Sequence, residues 1–193
     1  MDAILERIQG GEVLLADGAI GTLLMERGLP AGACPESVNL ERPELLKEIA
    51  RLYLEAGADI IQTNTLGGSP IKLGMYGLAD QTEAINAAAV RAVRAAVGDR
   101  AYIYGSCGPC GQTLRPYGDA DPDDVRAGFV RQIRALVEAG IDVLVIETMI
   151  DLEECHLAIE AARAVSSSLP VMAGLTFNRT PRGFYTIMGN DIP

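Results

Sequence analysis

The chain of 193 residues contains no Trp, a single His and few aromatic side chains, which make up 5% of the sequence. The one histidine, His156, excludes a metal site built from several histidines of this chain and any His-paired triad that does not use it. Basic residues are also scarce, with 16 Lys and Arg against 26 Asp and Glu and a formal net charge of -10. We expect neither nucleic acid nor an anionic membrane as a partner, because both attract basic surfaces.

The sequence has no apolar run long enough to span a membrane, and its first residues do not follow the pattern of a secretory signal. Four cysteines are too few and too scattered for a disulfide framework. We therefore expect a cytoplasmic protein with reduced thiols. With 49% hydrophobic and 22% charged residues, the composition predicts one globular domain over residues 1–193. The cysteines are Cys34, Cys107, Cys110 and Cys155.

One phrase occurs twice, since residues 56–65 read AGADIIQTNT and residues 139–148 read AGIDVLVIET. Each copy has a glycine typical of a helix end, then an apolar strand, then an abrupt change to polar residues. A strand of this kind is buried on both faces and opens into a cleft at its C-terminal end. In parallel α/β enzymes, binding and catalytic residues lie at that end. The repeat therefore marks Asn64 and Glu147.

Apolar strands alternate with helical segments at intervals of about 40 residues. A closed barrel needs eight strand and helix units and about 250 residues. The sequence therefore predicts a partial (β/α)8 TIM barrel, about the first five β/α units, with an open five-stranded sheet as the alternative. The predicted strands cover residues 13–19, 59–66, 101–107, 143–148 and 171–177, and a hairpin arm is predicted at 184–188.

Capping patterns predict where the helices begin. Asp80 with Glu83 and Asp151 with Glu154 have the spacing of a capping box, and Asp121 precedes a proline at a first helical position. The predicted helices cover residues 43–56, 80–97, a segment from 122, and 151–165.

Residues 17–22, DGAIGT, follow the first predicted strand and place a carboxylate beside a run of backbone N–H groups. Such amides form an anion site and Asp17 attracts a cation, so the pair suits a zwitterion, although a tight turn capped by Asp17 is an alternative. Glu147 closes an apolar strand, so we expect it to face a cleft or an ion-pair partner. Asn64 is expected either to bind ligand or to form a turn. The candidate binding residues are Asp17, Gly18, Ala19, Gly21, Thr22, Asn64 and Glu147.

Cys107 and Cys110 form a C-x-x-C pattern. A redox pair should open a helix that lowers the thiol pKa, and a zinc site needs a second pair of ligands. No helix is predicted directly after the pattern, and Cys155 and His156 are adjacent in a helix and point to different faces. We therefore interpret the pattern as small residues at a strand end, with an oxidoreductase as the least favoured alternative.

Taken together, these residues resemble the N-terminal part of the homocysteine S-methyltransferase domain family, which includes cobalamin-dependent members. The resemblance implies a β/α barrel that binds homocysteine, with Asp17 and Glu147 near its amino group and residues 18–22 near its carboxylate. The matching segments are residues 17–22, 56–65, 105–109, 146–151 and 169–176.

In that family, three cysteines on later strands bind zinc, which holds the substrate sulfur as a thiolate for attack on a methyl donor. The resemblance places these cysteines beyond Pro193, and none of the four cysteines of this chain matches them. It therefore assigns no metal ligand and no catalytic residue to this chain. Zinc is expected for the complete domain, and methyl-cobalamin on another domain or protein is one expected donor. We expect this chain alone to be inactive.

The expected partners are homocysteine, a corrinoid domain or protein, and a chain that completes the barrel, with self-association through the open sheet edge as another route. A non-catalytic amino-acid-binding or assembly subunit that keeps the carboxylates without zinc is the main alternative function. A hydrolase that uses Asp17 and Glu147 as an acid and base pair is a further one.

Overall fold

A computed structural model describes residues 4–192 of the chain. Pro193, beyond which the resemblance places the zinc cysteines, lies outside the described residues. The centre of the fold is a parallel sheet of four strands in the order β1-β2-β3-β4, and a helix joins each strand to the next. A separate antiparallel hairpin, β5 and β6, follows. The strands are β1 Ile60–Gln62, β2 Tyr102–Cys107, β3 Val143–Met149, β4 Val171–Leu175, β5 Asn178–Thr180 and β6 Gly183–Tyr185.

The longer helices cover one face of this sheet and form the main core with it. Phe129 and Ile133 of one helix are fully buried, as are Leu144 and Ile146 of the sheet. Among residues 4–192, no helix has both the length and the apolar character that a membrane crossing requires. The helices are α1 Ile4–Gln9, α2 Gly21–Glu26, α3 Val38–Glu41, α4 Pro43–Glu55, α5 Pro70–Gly74, α6 Thr82–Val97, α7 Pro122–Ala139 and α8 Leu152–Val165.

The predicted α/β architecture is confirmed, but the first predicted strand is wrong. Within residues 13–19, only Ala16 forms a bridge, with Ile60 of β1. Val13 is 92% exposed and Leu15 is 58% exposed, so this segment lies at an open edge of the sheet with a neighbour on one side only. The other four predicted strands are present, three with shorter bounds and β3 one residue longer than predicted, and β6 overlaps the predicted hairpin arm.

The predicted N-caps are correct at Asp121 and Asp151 and wrong at Asp80, while Glu154 does not complete a capping box with Asp151 because it accepts the Cys110 backbone N–H at 2.6 Å. Asp121 and Asp151 each accept a hydrogen bond from the backbone N–H two residues later, at 3.0 and 2.9 Å. Asp80 does not cap α6, which begins at Thr82 after a short 3-10 turn. Glu83 instead pairs with an arginine of α7. A sequence pattern for a cap thus competes with alternative partners from the rest of the fold.

The repeated phrase performs the same structural task in both copies. Its glycine ends a helix with a φ of 99° in the first copy and 95° in the second, a conformation that favours glycine. The aspartate then accepts a backbone N–H from the preceding strand segment, from Leu15 to Asp59 at 2.9 Å and from Ile103 to Asp142 at 2.7 Å. The aspartates therefore fasten the N-terminal ends of adjacent strands, where a β/α fold is stabilised.

Candidate functional site

The face of the sheet that the long helices leave open carries polar side chains near the C-terminal ends of the strands. Along β2, Ile103 and Cys107 pack in the helix-covered core, so the alternate residues point to the opposite face. The register pairs Gln62 with Tyr104 and Ser106 with Val145, which places Glu147 further along the same face. We call this surface the polar face. It comprises Asp17, Gln62, Tyr104, Ser106 and Glu147.

Asp17 is held against β1 by Gln62. Its two carboxylate oxygens accept the Gln62 backbone N–H at 3.0 Å and the Gln62 side-chain amide at 3.2 Å. Burial raises the pKa of Asp17 to about 7, although the hydrogen bonds from Gln62 act against this rise. The negative charge of Glu147, which lies on the same face of the sheet, raises the pKa further. The structure thus brings together the two acidic residues that the sequence marked.

Glu147 lies at a β-bulge. Ile146 pairs with Ala173 and Met149 pairs with Leu175, so β3 contains one residue more than β4 between these pairs. Ile146 and Met149 therefore both reach the buried core, and Thr148 adopts a φ of 60°. Bulges of this kind redirect side chains and are common beside active sites.

Three residues of the polar face were not predicted from the sequence. Ser106 donates a hydrogen bond from Oγ to Glu147 Oε1 at 2.7 Å. Burial raises the pKa of Tyr104, and the charges of Glu147 and Asp17 raise it further, so its hydroxyl stays protonated beside both carboxylates. Gln62 fixes Asp17. Polar residues at alternate positions of a buried strand were the available signal for Tyr104 and Ser106.

The loop of residues 18–22 lies beside Asp17 and leads into α2. An added Cβ at Gly18 would lie 3.0 Å from the hydroxyl of Tyr53, which donates a hydrogen bond to the Ala19 carbonyl at 2.8 Å. Gly21 and Thr22 are exposed and form the start of α2. Backbone N–H groups of a first helical turn have no partner within the helix, so this loop can offer donors to an anion.

Asn64 is 8% exposed, and its side-chain amide bonds to residues outside the candidate set. Its amide donates to the Pro35 carbonyl at 2.8 Å and to Asn39 Oδ1 at 2.8 Å. These bonds fasten the loop after β1 to the segment around α3. The geometry therefore supports the structural alternative for Asn64, and its role in binding stays a prediction.

All four cysteines are free and buried. Burial raises the pKa of Cys110 to about 12 and also raises that of Cys107, with the charge of Glu154 adding to both. A thiolate is therefore strongly disfavoured at the C-x-x-C pattern, in contrast to redox pairs. Within residues 4–192, no group of three His, Cys, Asp or Glu side chains is arranged to hold a metal ion. The described residues consequently do not fit a zinc site.

Comparison with known proteins gives consistent matches. A family model described as homocysteine S-methyltransferase matches residues 14–192. Methionine synthase of Mycobacterium leprae (strain TN) is 30% identical over 186 residues, and that of Mycobacterium tuberculosis (strain ATCC 25618 / H37Rv) is 32% identical over 186 residues. Each alignment covers 87% of this chain but only 15% of the relative.

Solved structures of the homocysteine methyltransferase MmuM from Escherichia coli have a similar fold. The oxidized form matches with a TM-score of 0.74 and 25% identity, covering 90% of this chain and 65% of that one. The metallated form matches with a TM-score of 0.76 and 24% identity, covering 90% and 67%. The chain thus spans about two thirds of these structures and a small part of the methionine synthases.

Proposed function

The chain belongs to the homocysteine S-methyltransferase family, and we propose that it binds homocysteine on the polar face, as the substrate-binding part of a homocysteine S-methyltransferase. The family and the partial TIM-barrel fold that the sequence predicted are both confirmed. Because the chain covers 65% of the solved relative and 15% of the methionine synthases, the activity of a whole enzyme is part of the proposal.

One observation carries this proposal. Asp17 and Glu147 come from distant parts of the chain and interact on one face, and within residues 4–192 neither has a Lys or Arg partner. Two neighbouring carboxylates raise each other's free energy in the ionised state. An ammonium group from a ligand would compensate both charges. The amino group of homocysteine supplies such a cation.

We assign the carboxylate of homocysteine to the adjoining loop of residues 18–22. The backbone N–H groups at the start of α2 would receive the substrate carboxylate, with Gly18, Ala19, Gly21 and Thr22 shaping the loop. A ligand held at both its charged ends has one orientation, so its sulfur would point along the polar face. The chain's role in this proposal is to bind and orient the substrate.

Zinc, which the resemblance implies for the complete domain, does not fit the described residues. We propose that any zinc ligands belong to parts of the domain beyond Pro193, which this chain does not cover. The methyl donor is likewise proposed to come from another domain or protein, with methyl-cobalamin as one candidate. We also propose a cytoplasmic location, in keeping with the free cysteines.

Calorimetry with the purified chain tests the proposal. Homocysteine should bind, and γ-mercaptobutyrate, which lacks the amino group, should bind about tenfold or more weakly, because a hydrogen bond to a charged group contributes roughly 1.5–3 kcal/mol. Asp17→Asn and Glu147→Gln should each weaken homocysteine binding, whereas Glu83→Gln, which removes a carboxylate on the helical side, should not. Equal affinity for the two ligands would contradict the proposal.

A non-catalytic amino-acid-binding subunit is the second candidate, because Asp17 and Glu147 could bind an ammonium group without a metal. Such a subunit should bind homocysteine and methionine alike, with no effect of added zinc. A methyltransferase that uses a metal for the sulfur should prefer homocysteine in the presence of zinc. Calorimetry with both amino acids, with and without zinc, separates the two.

We further propose that the open sheet edges are covered in the working protein, by the rest of a barrel, another chain or a second copy. Val13 is 92% exposed and Met172 of β4 is 47% exposed. Exposed strand edges with apolar side chains favour association. Light scattering should therefore show the isolated chain to be larger than a monomer.

A further inference from the structure

We infer that Ser106 is a positioning residue, whose hydroxyl fixes the carboxylate of Glu147 so that one oxygen stays directed at the substrate amino group. This inference rests on the proposed function. Ser106 Oγ lies 2.7 Å from Glu147 Oε1. The hydroxyl donates and the carboxylate oxygen accepts. The bond engages Oε1 and leaves Oε2 for a ligand.

The register explains why a serine at this position can reach the glutamate. Ser106 pairs with Val145, so Glu147 is its diagonal neighbour, two residues further along the same face. Diagonal neighbours on one face of adjacent strands are within reach of a long side chain. The short hydroxyl of Ser106 and the long side chain of Glu147 therefore meet.

Ser106 is itself held from several directions. It is 1% exposed, its backbone N–H donates to Thr63 Oγ1 at 3.2 Å, and its carbonyl accepts the hydroxyl of Thr65 at 2.7 Å. Gln132 of α7 approaches the same carbonyl at 3.5 Å. The hydroxyl thus projects from a backbone that neighbouring elements keep in place.

Glu147 needs such a partner because of where it lies. It sits in the bulge of β3 beside Thr148, is only partly buried, and has a side chain with several rotatable bonds. Ordering a glutamate side chain costs up to about 2 kcal/mol in rotamer entropy. Because the bond to Ser106 orders the Glu147 side chain when the chain folds, this entropy cost does not oppose ligand binding. This is the principle of preorganisation.

The ligand test uses Ser106→Ala and two probes. Homocysteine binding should weaken about two- to tenfold, the usual range for one hydrogen bond, while binding of γ-mercaptobutyrate should not change, because it offers no amino group to Glu147. Ser106→Thr keeps the hydroxyl and should restore homocysteine affinity. Ser69→Ala is the matched control, since Ser69 is also a buried serine, 2% exposed, whose hydroxyl caps α5 and lies outside the polar face.

Equal weakening for both probes would show that Ser106 only supports the fold and would overturn the inference. In a Glu147→Ala background, Ser106→Ala should cause no further loss of homocysteine affinity. A second measurement needs no ligand. Urea unfolding of Ser106→Ala, Glu147→Ala and the double variant should give strongly non-additive losses, and additive losses would also overturn the inference. If the wild-type chain did not bind homocysteine but the unfolding losses of Ser106→Ala and Glu147→Ala remained non-additive, the proposed function would be refuted instead of this inference.

Discussion

Replacing Asp17 by asparagine should change the pH dependence of unfolding by an amount that follows from the burial of this carboxylate. Burial, with a contribution from the charge of Glu147, raises the Asp17 pKa from 3.8 to about 7. In the unfolded chain, the pKa returns to its ordinary value. At a pH between these two pKa values, the Asp17 carboxyl is protonated in the folded state but not in the unfolded state. The contribution of Asp17 to stability is therefore full below about pH 4 and is lost as the pH rises through about 7.

The magnitude follows from the difference between the two pKa values. Each pKa unit corresponds to about 1.36 kcal/mol, so a difference of about 3 gives an upper value of roughly 4 kcal/mol. Asp17 keeps partial contact with solvent, and we expect about 2–4 kcal/mol. The amide introduced by Asp17→Asn does not titrate, so the variant should gain this much relative to wild type as the pH rises from about 4 to 8. Its altered hydrogen bonds to Gln62 add an offset that does not depend on pH.

Urea unfolding followed by circular dichroism, for both proteins at several pH values, measures this difference. Glu83→Gln is a control of opposite sign, because Arg131 lowers the pKa of Glu83. The Glu83→Gln variant should therefore become less stable than wild type as the pH rises through the ordinary pKa of a glutamate, about 4.3. If the stability difference between Asp17→Asn and wild type stayed constant across the range, the reasoning about Asp17 would be refuted.

Four further outcomes are expected. Calorimetry of the wild-type chain should show homocysteine affinity rising with pH up to about 7, because the ammonium group favours the ionised form of Asp17, and Asp17→Asn should remove this dependence. Tyr104→Phe should weaken homocysteine binding about three- to tenfold, because it deletes a hydroxyl of the polar face on which we propose that homocysteine binds, and should change the urea midpoint little because the ring is kept. Thr148→Gly should stabilise the fold by about 1 kcal/mol in urea, because glycine adopts a positive φ without strain. Finally, no cysteine should react with a thiol reagent near pH 8 before the chain unfolds, as all four are buried.

Sequence reasoning located the two carboxylates because each follows an apolar stretch that ends abruptly. An apolar run shows that a strand is buried, and a charged residue at its end must then face a cleft or a partner. Parallel strands place their C-terminal ends at one edge of the sheet, so the convergence of Asp17 and Glu147 follows from topology. The failure at residues 13–19 has a different origin. The apolar pattern is present there, but a full strand also requires hydrogen-bonding neighbours, and the sequence does not reveal how many it has.

Ser106, Tyr104 and Gln62 could not be assigned in this way, because their roles depend on register. Sequence spacing shows which residues share a face within one strand, but not which residue of the next strand lies beside them. The bulge at Glu147 and Thr148 is likewise a product of pairing between β3 and β4. Without the register, a serine in a buried strand cannot be distinguished from an ordinary small core residue.

Acidic residues at the two ends of the sheet differ in whether they have a basic partner, and this difference supports the proposed cationic ligand. At the N-terminal ends, Asp142 pairs with Arg94 at 2.9 Å and also accepts a backbone N–H. At the C-terminal ends, Asp17 and Glu147 raise each other's free energy, and no arginine or lysine of residues 4–192 pairs with either. The fold can supply a cation beside a carboxylate, as Arg94 shows, yet it leaves these two without one. Repulsion between the two carboxylates destabilises the unliganded fold. A ligand with an ammonium group would offset this repulsion, so the offset would contribute to the free energy of binding.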